Sequence, residues 1–294
     1  MALRDYLATE VALDHSEGLL TRREALRRLG LLGLSATAAT GLLAACSTDA
    51  PAPAPAPAAP SAATYDIAGS IARTTAVTFP GSAGDVSGAY AAPVGTPKGG
   101  VLVVHENRGL TDHIRAVTGR LAGDGYPALA PDLLSRAGGT AAAADPTAAL
   151  GGIDEADLVA DLRSGLTELG RRHPGLPLAA MGFCFGGGMV WQLLDTDGQG
   201  IAAAAPFYGP APDNPSFTGT RAAVLGVFAE LDNRVNAGRD KLEAALTAAG
   251  LTHELVTVPG VDHAFFNDTG ARYNATAAEA TYRRVLDWFG KYLR

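Results

Sequence analysis

Cysteine is scarce in this chain. Two residues in 294, Cys46 and Cys184, form no C-x-x-C pair, which excludes a dithiol redox motif. Basic charge is not in excess either. Lys and Arg total 23 against 30 Asp and Glu, a net charge of −7, and this argues against a phosphate-binding surface, so no nucleic-acid partner is expected. Aromatic residues make up only 6%, a consequence of Ala, Gly and Pro enrichment and not a sign of disorder. A long apolar run is also missing. The candidate "LLGLSATAATGLLAA" (31–45) is short and diluted by Gly and Thr, so it reads as the apolar region of an export signal and not as a spanning helix.

The leader itself is well marked. "TRREALRRLG" (21–30) places the twin arginine Arg22-Arg23 before the apolar run, the order used by the pathway that exports folded proteins. The run ends in "LLAAC" (42–46), a pattern similar to a bacterial lipobox, with Cys46 as the lipidated first residue of the mature chain. "APAPAPAPAAP" (50–60) follows. Its alternating prolines suit an extended rod of about 3.1 Å per residue. The expected division is an export signal over 1–45, an anchor cysteine and linker over 46–63, and a folded domain over 64–294. On this reading the first sixty residues stand outside the fold. The protein is exported, at the cell surface or in the periplasm, and meets a membrane only through its lipid. Cys184 then has no disulfide partner, and a free thiol in an oxidising compartment must be buried or used.

A hydrophobic content of 47% over the whole chain is ample for a core. "TTAVTFP" and "VSGAYAAP" read as two opening strands around a Gly-rich turn. "GGVLVVHE" (99–106) is a continuous apolar run of the kind found in strands buried on both faces. Further strands are expected in "YPALAPDLL" (126–134), "LPLAAMGF", "IAAAAPFYG", "RAAVLGVFAELD" and "THELVTVPG". Helices are expected at 111–125, 154–172, "GGGMVWQLLD", 237–250 and 276–294, from apolar residues at helical spacing between caps and glycines. Strands alternating with helices indicate an α/β fold: one domain, a mostly parallel doubly wound sheet with helices on both faces.

In such sheets functional groups gather beyond the carboxyl ends of the strands. Cys184 in "MGFCFGGGMV" (181–190), Asp232 and His263 each follow a strand. Nucleophile, acid, histidine is the chain order of the α/β-hydrolase triad. The glycines around Cys184 suit a strained turn where strand and helix approach closely. The thiolate is the attacking species. His263 and the N-terminus of the following helix favour it, and Asp232 fixes the imidazole tautomer. The other histidines lack this setting: His15 is in the leader, His113 and His173 are on or near helices, His253 opens a strand, and His105 sits in the sheet edge beside the site. The backbone N–H groups of Phe185 and Asn107 are the candidate oxyanion donors. Tyr208, near the end of "IAAAAPFYG", is a candidate substrate contact.

Taken together, "HENRG" (105–109), "PDLLSR" (131–136), "GFCFGG" (182–187), "ELD" (230–232) and "DHAFFND" (262–268) resemble the dienelactone hydrolase, or carboxymethylenebutenolidase, family over roughly residues 70–294. The resemblance implies the α/β-hydrolase fold and hydrolysis of small esters or lactones through an acyl-cysteine. It implies neither metal nor cofactor. It gives Glu106 a part in controlling the protonation of the cysteine, and it suggests Arg136 as a binder of the substrate carboxylate. There is one departure. Where dienelactone-specific members carry a second arginine four residues after the histidine, this chain has Asn267. Half of the carboxylate clamp is missing, so Asn267 is a substrate contact that favours neutral or weakly anionic esters. A monomer is expected. The competing reading, from another class, is a surface binding lipoprotein that kept the fold and lost the chemistry. A chromogenic ester assay with and without a thiol alkylator separates the two.

Overall fold

The computed structural model describes residues 3–16, 18–48 and 64–294. The Ala-Pro linker lies outside the described residues, and so does the side chain of Cys46. In chain order the elements begin with helices α1 (Leu3–Ser16), α2 (Arg22–Leu31), α3 (Ala36–Thr48) and α4 (Ile67–Ala72). Strands β1 (Thr74–Gly81), β2 (Gly84–Ala91) and β3 (Gly100–Val104) follow, then α5 (Asp112–Gly123), β4 (Ala128–Pro131), α6 (Pro146–Gly151) and α7 (Glu155–Arg172). The remainder is β5 (Leu178–Phe183), α8 (Phe185–Asp197), β6 (Ile201–Phe207), β7 (Ala223–Ala229), α9 (Asn233–Asn236), α10 (Arg239–Ala248), β8 (His253–Val258) and α11 (Ala275–Tyr292).

The eight strands form one sheet in the order β1-β2-β4-β3-β5-β6-β7-β8. β1 pairs with β2 and β2 with β4 antiparallel, and every later pairing is parallel. Each strand expected from the sequence is present. Successive side chains of a strand point to opposite faces, and all five residues of β3 and all seven of β7 are buried. Both faces of the central sheet are therefore covered, as the unbroken apolar runs required. The parallel strands all point their carboxyl ends to one edge, and the loops there carry the candidate residues.

The first helices depart from expectation. The sequence predicts that the first sixty residues stand outside the fold, yet Tyr6, Leu7, Val11, Ala25, Leu29 and Leu43 are buried in the same apolar cluster as the sheet. α2 opens on Thr21, whose hydroxyl accepts the Glu24 N–H at 3.3 Å. Arg27 of α2 reaches Asp145, the N-cap of α6, at 3.0 Å. The reason is visible in α1. Its apolar residues Leu3, Leu7, Val11 and its Tyr6 repeat at helical spacing, a pattern that needs a surface to cover. Arg22 and Arg23 remain exposed at the start of α2.

Candidate active site

β5 runs into α8 through a single residue, Cys184, at φ 56° and ψ −120°. A non-glycine side chain in this region is strained, and the strain lifts the thiol out of the strand toward the sheet edge. Two neighbours make the turn possible. A Cβ on Gly182 would strike the carbonyl of Gly186, and a Cβ on Gly186 would strike the carbonyls of Val104 and His105. The Cys184 N–H donates to the Phe207 carbonyl at 3.1 Å. Phe185 is the first residue of α8, where a backbone N–H has no acceptor within the helix.

The loops after β7 and β8 bring a second pair to the same edge. Asp232 caps α9, its Oδ1 accepting from the Val235 N–H at 3.1 Å, and its Oδ2 lies 2.5 Å from His263 Nδ1. Burial would raise the Asp232 carboxyl, but the His263 and Arg234 charges outweigh it and hold it below the ordinary range. For His263 burial acts to lower the imidazole. Glu10, Cys184 and Asp232 together reverse that and push it well above its usual value. The Cys184 thiol is pushed up, chiefly by burial and next by the Glu10 carboxylate, with His263 opposing. A nitrogen of His263, the Cys184 sulfur and a Glu10 oxygen all lie within 4.8 Å of one another.

The supporting residues divide sharply. His105 accepts the Leu133 N–H at Nε2 (3.1 Å), and its Nδ1 meets the Glu106 carbonyl at 2.6 Å. Both nitrogens are thus occupied, and burial lowers the ring's pKa, so His105 is a neutral strut and not a base. Glu106 is buried beside the nucleophile. Its Oε2 accepts from Asn267 Nδ2, while its Oε1 has no hydrogen-bond partner among the described residues. Asn267 Oδ1 in turn accepts from Thr269 N and Oγ1 at 3.0 and 2.7 Å. Asn267 therefore orients Glu106, which is not the direct substrate contact expected of it. The Tyr208 ring lies 5.0 Å from that of His263, edge to face, and its buried hydroxyl has no hydrogen-bond partner among the described residues. The Asn107 carbonyl accepts from Thr147 Oγ1 at 3.3 Å, in the loop that follows β3.

A family model for the "Dienelactone hydrolase family" matches residues 86–293. The chain belongs to the dienelactone hydrolase family. Among relatives, a protein from Escherichia coli O157:H7 named "Putative carboxymethylenebutenolidase" is 32% identical over 208 residues, 65% of this chain and 76% of its own. One of the same name from Synechocystis is 31% identical, over 76% of this chain and 98% of its own. The solved "Putative Dienelactone Hydrolase" from Klebsiella pneumoniae superposes with a TM-score of 0.65 at 30% identity, covering 74% of this chain and 98% of that one. A dienelactone hydrolase from Anabaena variabilis, at 22% identity, shares the fold with a TM-score of 0.61 over 75% of this chain. The protein is thus a dienelactone hydrolase-like enzyme on the α/β-hydrolase fold, and all three residues named for a triad lie in the matched segment.

For this dienelactone hydrolase-family chain, two further readings from the sequence need correction. Arg136 does not face the site. Its Nε donates to Asp161 Oδ2 at 2.7 Å, it pairs with Asp157 at 3.2 Å, and it also contacts Ser82. Two carboxylates already neutralise it, and both belong to α7. Arg136→Met should leave the preference between anionic and neutral esters unchanged while lowering stability. Asp161 is only 2% exposed. An uncompensated buried carboxylate costs up to about 3–5 kcal/mol, less here because the arginine is partly in water. A thermal melt and a ratio of kcat/KM values check both halves.

The second correction concerns what stands over the thiol. Tyr6 Oη of α1 lies 3.2 Å from Cys184 Sγ, and either atom can be the donor. Glu10 pairs with Arg234 and lies 3.6 Å from His263 Nε2. Asp14 pairs with Arg272 at 3.3 Å and lies 4.0 Å from Arg108, so Arg108 sits at the rim of this cluster. Tyr6, Glu10 and Arg234 went unnoticed in the sequence. A signal was present: Tyr6, Glu10 and Asp14 recur every four residues and share one helix face. Cys, His and Glu could hold a metal ion, but the Glu10 carboxylate is already committed to Arg234.

Proposed function

We propose that the protein hydrolyses small esters or lactones, with Cys184 as nucleophile, His263 as base and Asp232 as the group that orients the imidazole. The observation that carries this reading is the 2.5 Å contact of Asp232 with His263 Nδ1 beside a cysteine on a positive-φ turn. His263 Nε2 takes the thiol proton, and the thiolate adds to the substrate carbonyl. The oxyanion is held by the Phe185 and Asn107 N–H groups. The tetrahedral adduct collapses, His263 returns the proton to the leaving alkoxide, and an acyl-cysteine remains. Water, deprotonated by His263, adds to the thioester, and expulsion of the thiolate frees the acid. Glu106, with one oxygen on Asn267 and the other without a hydrogen-bond partner among the described residues, supplies a charge that controls when the thiol ionises. Rapid acid quench with a slowly released aryl ester should add one acyl mass to the peptide containing Cys184. An acyl group on another residue, or none during turnover, would overturn the assignment.

The leader reading stands beside this. The twin arginine is exposed, and among the described residues no helix is long and apolar enough to cross a membrane. The exposed twin arginine supports the reading of an export signal followed by a lipid anchor at Cys46, and on that reading the mature enzyme stands at the membrane surface outside the cytoplasm. Cys46→Ala should move the protein from the membrane fraction to the soluble one, and Lys at both Arg22 and Arg23 should keep it inside. Continued sedimentation of the Cys46 variant with membranes would sink the lipobox.

A further inference from the structure

Attack on an ester needs open space over the sulfur, and here that space is filled. Tyr6 is fully buried with its hydroxyl on Cys184 Sγ, and Cys184 and His263 are only 4% and 5% exposed. No substrate reaches the thiol unless α1 moves. The helix also presents charge. Glu10 lies between His263 Nε2 and the Arg234 guanidinium, which itself stacks over the Tyr6 ring at 4.6 Å. Arg234 is a partly buried cation whose Nε and Nη1 are out of water without a hydrogen-bond partner among the described residues, and it forms an ion pair with Glu10. Beside the reacting atoms and mostly shielded from water, an arginine is stabilised by an anion, and its planar fork fits a carboxylate. Arg136, by contrast, is consumed by α7. α1 precedes the whole domain in the chain and contributes no strand, so it can leave without disturbing the sheet.

We propose that α1 is a tethered substrate mimic that closes the active site, with Glu10 standing where the carboxylate of a small anionic ester or lactone binds and Arg234 as the counter-ion of that carboxylate. The proposal rests on the hydrolase reading above. It reverses the preference for neutral esters that Asn267 suggested, because the cation that Asn267 lacks is supplied by Arg234. In the closed form Glu10 also takes the thiolate's place as the anion facing imidazolium, which leaves Cys184 a protonated thiol. Cleavage ahead of Cys46 would withdraw the mimic together with the leader.

The test uses the full chain and needs no turnover. Leu7→Gln/Val11→Gln makes the buried face of α1 polar, and Glu10→Lys sets a cation against Arg234 and His263 without touching the apolar contacts. Carbamidomethylation of Cys184 by iodoacetamide, followed on its own peptide by mass spectrometry, should run about a hundredfold faster in both variants than in the unaltered chain, the scale of a local opening. Succinate should then slow labelling about tenfold in the Leu7→Gln/Val11→Gln chain. Succinamide should not, and adding Arg234→Gln should remove the protection. Equal labelling rates in all folded chains, checked by near-ultraviolet circular dichroism, overturn the occupancy of the site by α1. Protection that is absent, or that survives Arg234→Gln, overturns the carboxylate subsite. An opened chain that labels fast and binds succinate yet hydrolyses no ester refutes the hydrolase reading and leaves this one standing.

Discussion

Cys184→Ala should bring ester turnover to the assay floor, a fall on the order of a millionfold by comparison with other nucleophile deletions. No other group near the oxyanion donors can form the acyl intermediate. The measurement is best made both in the unaltered chain and with α1 dislodged, so that a closed site is not mistaken for a missing nucleophile. The fold should survive. Alanine keeps the side chain in the same strained turn, at φ 56°, and removes little volume. Cys184→Gly sharpens the test. Relief of a positive-φ side chain is worth roughly 1–3 kcal/mol, offset by about 0.5–1 kcal/mol for the flexibility of glycine in the unfolded chain. The glycine variant should therefore be as inactive as the alanine one and melt at a higher temperature. Measurable turnover in either variant removes Cys184 from the mechanism. Equal melting temperatures mean that the turn stores no strain.

How much of this was legible beforehand depends on how local each signal is. Strand β3 and the elbow after β5 were readable because their causes lie within a few residues: a run of Val and Leu buried on two faces, and glycines at 182 and 186 that let backbone approach backbone. Asp232 and His263 were readable because the topology fixes where a strand end points. Arg136 was not. A family resemblance places a residue type in a loop, but only the packing shows that Asp157 and Asp161 of α7 claim its guanidinium. Asn267 was half legible: its place near the site is as expected, but the amide's bond to Glu106 depends on two loops from distant parts of the chain. α1 was missed for another reason. Residues 3–16 carry Tyr6, Glu10 and Asp14 on one face, but the adjacent twin arginine reads as a local export signal, whereas the surface that this face covers is assembled from β5, β7 and β8 ends far along the chain.

Asp232→Asn is the second change with a large expected effect, and its pH dependence separates mechanism from packing. The carboxylate accepts from His263 Nδ1–H, so Nε2 is left to take the thiol proton. An amide can instead donate to Nδ1, which forces the other tautomer and blocks proton transfer. In serine enzymes this costs about ten-thousandfold, and a thiol, needing less base assistance, should lose between about a hundredfold and that value in kcat. Asp232 also helps to hold the imidazolium, after Glu10 and Cys184 and against burial. Without it the His263 pKa should fall, and the acid limb of kcat/KM in the opened chain, where the base loses its proton, should shift to lower pH. The stability signature has two sides. Asp232 is depressed in the folded state, so its contribution is present above the unfolded value of about 3.9 and lost as pH falls through the folded one. His263 is raised, so its contribution is complete below about 6.5 and lost as pH climbs through its folded value. The gap in stability between the native chain and Asp232→Asn should therefore be widest between those limits and narrow toward both extremes. Denaturant melts across the pH range would measure it. A gap that is flat with pH would mean that Asp232 only caps α9, and the third member of the triad would have to be sought elsewhere.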